Sequence, residues 1–224
     1  MSAIYVYGDS LLKATTPDDD FRYHFHWQEL LAGRETALSA VVNRAKMGAT
    51  VQKGEALVRH DLQRGIDAKL ALVGYGGNDS DFDWTAIAAN PEDTHLPRTP
   101  LPQFLQTLES ITQSLLAQQV QPVLMTLPPI DAERYLDFIC RSGRSRENIV
   151  YWLGDVQRIY HYQEMYSAAI TRCAWQHHLP LIDVRSAFLP ERDLPDMIAA
   201  DGIHLTMAGY ERLFELLSAG VQSI

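Results

Sequence analysis

Short apolar runs alternate with longer amphipathic stretches along most of this chain. The apolar runs predict five β-strands, at residues 3–7, 37–45, 68–77, 121–129 and 179–188. The first of them is apolar almost throughout, which is typical of a parallel strand covered on both faces. The intervening stretches predict helices at residues 51–64, from Leu101 to Gln119, once or twice within 145–178, and from Thr206 to Ala219, with Gly220 as the last C-cap.

This alternation predicts an α/β fold, in which helices cover both faces of a parallel sheet. The sequence has no internal repeat, no low-complexity segment and no shift in composition, so residues 1–224 are expected to form a single domain. In open parallel sheets, ligands bind beyond the carboxyl ends of the strands. Residues with useful chemistry are therefore expected at those ends.

Charge and cysteine content narrow the class of protein. The 224 residues carry a formal net charge of −9, which disfavours binding to nucleic acids and to anionic membrane surfaces. Cys140 and Cys173 lie far apart and form no metal-binding pattern, as expected for buried thiols in a reducing compartment. With no signal-like segment and no apolar run of membrane-spanning length, the sequence predicts a cytoplasmic protein.

Polar residues and glycines follow four of the apolar runs or their loops. These are Gly8-Asp9-Ser10, Gly48, Gly77-Asn78-Asp79 and Asp201-Gly202-Ile203-His204. Each has a structural explanation when taken alone: Ser10 as the N-cap of a helix that begins at Leu11, Gly48 as a turn residue with positive φ, Asn78 in an Asx-turn. Together they match the requirements of acyl transfer.

Acyl transfer by serine needs a hydroxyl, a base, an acid that orients the base, and donors for the oxyanion. Ser10 supplies the hydroxyl and His204 the base. Asp201, three residues before His204, can accept a hydrogen bond from the second ring nitrogen. The N–H groups of Ser10 and Gly48 and the side-chain amide of Asn78 are the predicted oxyanion hole.

Other site types fit this sequence poorly. "GDSLL" lacks the second glycine of G-x-S-x-G, and "GYGGND" lacks the spacing of a dinucleotide-binding loop. No P-loop and no H-E-x-x-H motif occur, and His24 and His26 have no third ligand at suitable spacing. The sequence therefore predicts no metal site and no bound nucleotide or flavin.

The ordered set of Ser10, Gly48, Asn78 and His204, with "GDS", "GGND" and "DGIH" around them, resembles the SGNH hydrolases, also called the GDSL esterase/lipase family. The resemblance spans nearly the whole chain. It implies a flavodoxin-like three-layer α/β/α sandwich with a central five-stranded parallel sheet. It also implies hydrolysis of ester, thioester or amide bonds through an acyl-enzyme, without a cofactor.

Candidate substrate contacts follow the third and fourth strands. Trp84 could stack on a sugar ring, or it could pack over the edge of the sheet, while Arg134 and Tyr135 could line the cleft. Asp9 is a further candidate beside the serine, although a role in fixing the turn that presents Ser10 fits it better. The polar composition of residues 78–102 predicts a small soluble substrate rather than a lipid.

The sequence thus predicts a serine hydrolase for short-chain esters, acetyl esters of carbohydrates or similar small molecules foremost. The same groups would also serve an acyltransferase, an amidase, a thioesterase or a longer-chain lipase. A binding module that has lost catalysis is a further alternative. The presence of every residue type that the chemistry needs argues against that last class.

Overall fold

The computed structural model describes residues 3–32 and 41–224. Its strands are β1 Ala3–Gly8, β2 Thr15–Pro17, β3 Tyr23–Phe25, β4 Val41–Asn43, β5 Ala68–Gly74, β6 Gln121–Met125 and β7 Leu181–Ile182. Five of them form one sheet in the order β4-β1-β5-β6-β7, in which every pairing is parallel, and β2 and β3 form a separate antiparallel hairpin. Along the chain this order is that of a flavodoxin-like sheet.

The helices are α1 Trp27–Leu31, α2 Val51–Arg64, α3 Trp84–Ala89, α4 Leu101–Ala117, α5 Ala132–Cys140, α6 Arg146–Leu153, α7 Arg158–Gln176, α8 Val184–Phe188, α9 Leu194–Met197 and α10 Met207–Gln222. Successive β1 side chains enter different apolar clusters: Val6 packs with α10, and Tyr7 packs with α2, α4 and α7. Both faces of the sheet are therefore covered, and the predicted three-layer sandwich is confirmed. In the described part of the chain, no helix has the length and apolarity to cross a bilayer.

Several predicted elements differ from the observed ones. The strand predicted at 179–188 ends at Ile182, because the Asp183 side chain accepts the N–H of Ser186 and starts α8. The segment 145–178 contains two helices, α6 and α7. Of the strand predicted at 37–45, residues 37–40 lie outside the described residues. Helices α3 and α5 occupy segments to which the sequence analysis assigned no helix.

Gly220 does not cap the last helix. Helix α10 continues to Gln222, with Ser223 as its C-cap. A Cβ on Gly220 would lie 2.7 Å from Cδ1 of Ile182, so the glycine allows the helix to approach β7 closely. The predicted C-cap is wrong because this glycine serves packing rather than helix termination.

The helix predicted to begin at Leu11 is also absent. Ser10 is followed by a tight turn, in which the Ser10 carbonyl accepts the N–H groups of Lys13 and Thr15. Ala14 adopts a φ of +53°, which ends the turn and directs the chain into the β2–β3 hairpin. The Tyr210 hydroxyl of α10 donates to the Thr15 carbonyl and holds this exit in place.

Candidate active site

Ser10 stands at the carboxyl end of β1, the second strand from one edge of the sheet. The Asp9 side chain accepts the N–H of Leu11 through Oδ1 at 3.0 Å, which fixes the turn around the serine. The last residue of β1, Gly8, must lack a side chain, because a Cβ there would lie 2.8 Å from the Gly74 carbonyl oxygen of β5. Ser10 itself is 9% exposed, so its hydroxyl lies in a largely closed environment.

His204 and Asp201 come from the segment between α9 and α10. Oδ1 of Asp201 accepts the N–H groups of Ile203 and His204, and Oδ2 lies 2.6 Å from Nδ1 of the same histidine. The other ring nitrogen, Nε2, lies 2.9 Å from Oγ of Ser10. The structure therefore brings the predicted acid, base and nucleophile together in one hydrogen-bonded series.

The electrostatics of this series favour a charged carboxylate. Burial alone would raise the pKa of Asp201, but the hydrogen bond and the charge of His204 hold that pKa below its usual value. Asp201 therefore stays ionised, which fixes the ring tautomer with the proton on Nδ1 and leaves Nε2 free to accept a proton from Ser10.

Tyr23 is a neighbour of the histidine that the sequence analysis missed. Its ring lies against that of His204, with 5.1 Å between centroids, and burial raises the pKa of its hydroxyl to about 12. Tyr23 belongs to β3, so the hairpin covers one side of the site. No sequence signal pointed to it, because the segment reads as a polar loop.

Two of the predicted oxyanion donors are backbone N–H groups. Gly48 has a φ of +64° and follows β4 in a turn that is tied to β1, since the N–H of Lys46 donates to the Gly8 carbonyl at 3.0 Å. Within residues 3–32 and 41–224, neither the N–H of Ser10 nor that of Gly48 has a hydrogen-bond partner. Both are available to an incoming oxygen.

The third predicted donor is the amide of Asn78. Its Nδ2 donates to Oδ2 of Asp9 at 3.1 Å and to the Ala49 carbonyl at 3.3 Å. Burial raises the pKa of Asp9 to about 6, opposed by the hydrogen bond from Leu11 and by the charge of His204. Asp9 thus lies among the site residues as a partner of Asn78.

Asp79, next to Asn78, is a second residue whose role the sequence analysis did not assign. It is fully buried, and both of its oxygens accept the N–H of Val51 at the start of α2, at 3.0 and 3.2 Å. Burial raises its pKa to about 6. The Asp79 carboxyl thus connects the end of β5 to the segment that carries Gly48. The sequence feature that could have indicated this contact was the predicted start of a helix at residue 51, where a free backbone N–H needs an acceptor.

A cavity of about 90 Å³ opens beside Ser10 and His204, with Asp9 and Asn78 also in its wall. Trp84 and Tyr135 line it, although both are mostly buried in an aromatic cluster with Phe82. Trp84 Nε1 and the Tyr135 hydroxyl both donate to Oδ1 of Asp81, at 2.7 and 2.8 Å. Trp84 and Tyr135, which the sequence predicted as substrate contacts, therefore line the cavity, and their hydrogen bonds to Asp81 hold them in its wall.

Arg134 does not reach this cavity. Its guanidinium donates to the carbonyls of Pro195 and Ile198, at 2.8 and 2.7 Å, and so ties α5 to the chain around α9. The structure thus places it away from the predicted substrate-binding role. Its contacts support the segment that leads to Asp201 and His204.

Among residues 3–32 and 41–224, one group of metal-ligating residue types lies outside the site. Ligand atoms of Glu109, Cys173 and His177 lie within 4.8 Å of one another, where α4 meets the end of α7. Nε2 of His177 is 3.3 Å from Oε1 of Glu109, which is an ion pair when the ring is protonated. None of the three lines the cavity beside Ser10.

The fold and the site geometry define a class: a doubly wound α/β protein with a serine, a histidine and an aspartate hydrogen-bonded in series at the carboxyl ends of its strands. The chain belongs to the GDSL-like lipase/acylhydrolase family, whose family model matches residues 6–212. The family predicted from the ordered motifs is confirmed.

Individual relatives agree with this assignment. The GDSL esterase/lipase CPRD49 of Arabidopsis thaliana is 25% identical over 147 residues, which cover 64% of this chain and 50% of the relative. The chain thus matches about half the length of that curated protein.

Solved structures share the fold at lower identity. A lipase/acylhydrolase from Enterococcus faecalis is 21% identical, with a TM-score of 0.62, over 100% of this chain and 96% of that one. A catalytic mutant of Axe2, an acetylxylan esterase from Geobacillus stearothermophilus, is 16% identical, with a TM-score of 0.67, over 98% and 94%.

Proposed function

We propose that this protein is a serine esterase that hydrolyses acetyl esters of carbohydrates or of similar small molecules through an acyl-enzyme. The observation that carries the proposal is the hydrogen-bonded series from Asp201 through His204 to Ser10, with 2.6 and 2.9 Å between the paired atoms. Nucleophile, base and orienting acid are thus within reach of one another before any substrate binds.

In the first half-reaction, Oγ of Ser10 attacks the ester carbonyl carbon while Nε2 of His204 takes the hydroxyl proton. The carbonyl oxygen becomes an oxyanion and accepts from the N–H groups of Ser10 and Gly48 and from Asn78, each donor contributing about 3 kcal/mol. The protonated ring then gives its proton to the leaving alcohol oxygen, and the acyl group remains on Ser10.

In the second half-reaction, a water molecule attacks the acyl-enzyme. His204 takes a proton from that water, the same donors stabilise the second oxyanion, and the proton returns to Oγ of Ser10 as the acid leaves. The carboxylate of Asp201 stabilises the imidazolium that forms in each half and keeps the ring in place.

The size of the cavity supports a short acyl chain. At about 90 Å³ it is smaller than the engineered cavities of about 150 Å³ that hold one benzene molecule, so it suits a two-carbon acyl group. Acetylxylan esterases occur among the proteins of the same fold, which supports a carbohydrate as the alcohol half.

The test is covalent labelling with a fluorophosphonate probe, together with hydrolysis of p-nitrophenyl acetate. The wild-type protein should react with the probe and hydrolyse the ester. Ser10→Ala should do neither, and its melting temperature should equal that of the wild type. Ser80→Ala is the matched control, because Ser80 is a buried serine in the same cavity wall and should keep the label. Labelling of Ser10→Ala would assign the nucleophile elsewhere.

A further inference from the structure

A second and larger cavity adjoins the candidate active site. We call it the arginine cavity: it measures about 470 Å³, and its wall includes Arg98, Arg141, Arg144, Trp84, Tyr135 and Phe138. Its volume is in the usual range for sites that hold small-molecule ligands. Aromatic rings and guanidinium groups together form a surface suited to an anionic ring compound.

The two cavities are neighbours that share part of their walls. Asp81, Trp84 and Tyr135 line the arginine cavity on one side and the cavity beside Ser10 on the other. Because Asp81 accepts from both aromatic side chains, this wall is held rigidly by hydrogen bonds. The arginines therefore lie across one shared wall from the cavity beside Ser10.

The hairpin provides a second connection. Phe21, in the β2–β3 loop, lies 3.7 Å from the Arg141 guanidinium and 5.2 Å from the Phe138 ring, measured to ring centroids. Tyr23 in the same hairpin packs on His204. The arginine cavity therefore borders the candidate active site both through its wall and through the hairpin that covers the histidine.

The charge of the arginine cavity is opposite to that of the whole protein. The chain carries a formal net charge of −9, yet three arginines meet here with one acid, Asp81. Arg98 pairs with Asp81 at 3.3 Å. In the part of the chain that the structure describes, Arg144 bonds only neutral acceptors, and Arg141 has no hydrogen-bond or ion-pair partner for its guanidinium. Among those residues, two of the three guanidinium groups therefore have no carboxylate partner.

We propose that the arginine cavity binds a carboxylate or phosphate carried by the alcohol half of the ester, so that the substrate is an acetylated acidic sugar. The proposal rests on the proposed esterase function, which places the acyl group in the small cavity and directs the alcohol outward. Guanidinium groups match both anions with paired N–H donors, and Trp84 and Phe138 line the same cavity.

The kinetic test uses two acetyl esters that differ only in charge: an O-acetylated methyl glucuronoside and the matching methyl glucoside. Wild-type kcat/KM should be about tenfold higher for the anionic ester, the effect of one good charged hydrogen-bonding contact. Arg141→Gln should remove that preference and leave p-nitrophenyl acetate hydrolysis unchanged. Arg172→Gln, an exposed arginine on α7 outside both cavities, is the charge-matched control and should change neither.

Equal rates on the two esters, or an equal loss on charged and neutral esters in Arg141→Gln, would overturn the proposal. Calorimetric titration with glucuronate, glucose 6-phosphate and glucose tests it without catalysis. At least one anion should bind, and about tenfold more weakly to Arg141→Gln. The two anions separate carboxylate from phosphate recognition. If anions bind and no ester is hydrolysed, the proposed esterase fails and the site stands. If neither anion binds, the site fails.

Discussion

The side-chain amide of Asn78 donates a hydrogen bond from Nδ2 to Oδ2 of Asp9, 3.1 Å away. This contact joins the carboxyl ends of β1 and β5, and the same nitrogen donates to the Ala49 carbonyl at 3.3 Å. In the proposed mechanism, an oxyanion formed on Ser10 replaces the longer of these two bonds while Asp9 keeps the amide oriented. The carboxylate therefore sets the direction in which Asn78 presents its N–H.

Replacement of Asn78 by alanine removes one oxyanion donor and leaves the nucleophile and base in place. We expect kcat for p-nitrophenyl acetate to fall by about 10²–10³-fold with little change in KM, because the donor acts mainly in the transition state. Fluorophosphonate labelling of Ser10 should persist, although more slowly. A kcat within a few-fold of wild type would remove Asn78 from the oxyanion hole.

Asp9→Asn tests whether the acid acts through Asn78. The new amide can still accept from Leu11, but its nitrogen then faces Nδ2 of Asn78, so two donors oppose each other. We expect kcat to fall by about tenfold, the effect of one hydrogen bond to a charged group. In an Asn78→Ala background the same change should have no further effect. Additive losses in this double-mutant cycle would mean that Asp9 acts independently of Asn78.

How much of this site was predictable depends on the range of the interactions involved. Ser10, Asn78 and His204 could be found because strand ends and short motifs are local patterns. The turn at Leu11 could not, since it depends on contacts with α10, and Trp84 is buried through pairing with Asp81 and Tyr135 that only the folded chain creates. Arg134 was predicted to line the cleft, but its guanidinium donates to backbone carbonyls about sixty residues further along the chain. No local pattern in the sequence reveals such a contact.

The buried carboxyl of Asp79 gives the fold a characteristic pH dependence. Its pKa is about 6 in the folded protein, above the ordinary 3.8, so the native state binds this proton more tightly than the unfolded chain does. The resulting stabilisation is complete below about pH 4 and is lost as the pH rises to about 6. Asp79→Asn removes this titration and keeps an oxygen for the N–H of Val51.

We therefore expect the free energy of unfolding of Asp79→Asn, relative to wild type, to increase by on the order of 2–3 kcal/mol between pH 4 and pH 7. Urea denaturation at a series of pH values measures it. Asp83→Asn, which alters an exposed capping carboxyl on α3, is the charge-matched control. A difference between Asp79→Asn and wild type that stays constant with pH would contradict the raised pKa of Asp79.

The small cavity predicts a preference for short acyl chains. Among p-nitrophenyl esters from acetate to palmitate, kcat/KM should be highest for acetate and fall as the chain lengthens, because longer chains do not fit in about 90 Å³. Met125 lines this cavity and is 1% exposed, so Met125→Ala should enlarge it and move the preference toward butyrate. Best turnover of the long-chain esters by the wild type would contradict the acetyl assignment.

Gly202 lies between the acid and the base, and its backbone conformation places both. It has a φ of +78°, and a Cβ there would lie 2.4 Å from the Tyr135 nitrogen and 2.5 Å from the Asp131 oxygen, at the start of α5. Gly65 has a nearly equal φ of +75° with no atom within 4 Å of a built Cβ. Gly65 has a ψ of 117°, outside the left-handed helical region, so Gly65→Ala measures the cost of a backbone conformation that favours glycine, about 1–3 kcal/mol, without a clash.

Gly202→Ala adds a backbone clash to the strain of a positive φ, so we expect it to lower the free energy of unfolding by about 1–3 kcal/mol more than Gly65→Ala does. Because α5 must move away or the turn must shift, Asp201 and His204 lose their alignment with Ser10, and kcat should fall even at temperatures where the variant is folded. Circular dichroism and p-nitrophenyl acetate kinetics at one low temperature separate the two effects. If Gly202→Ala matches Gly65→Ala in stability and keeps wild-type kcat, the contact between this turn and α5 does not position the histidine.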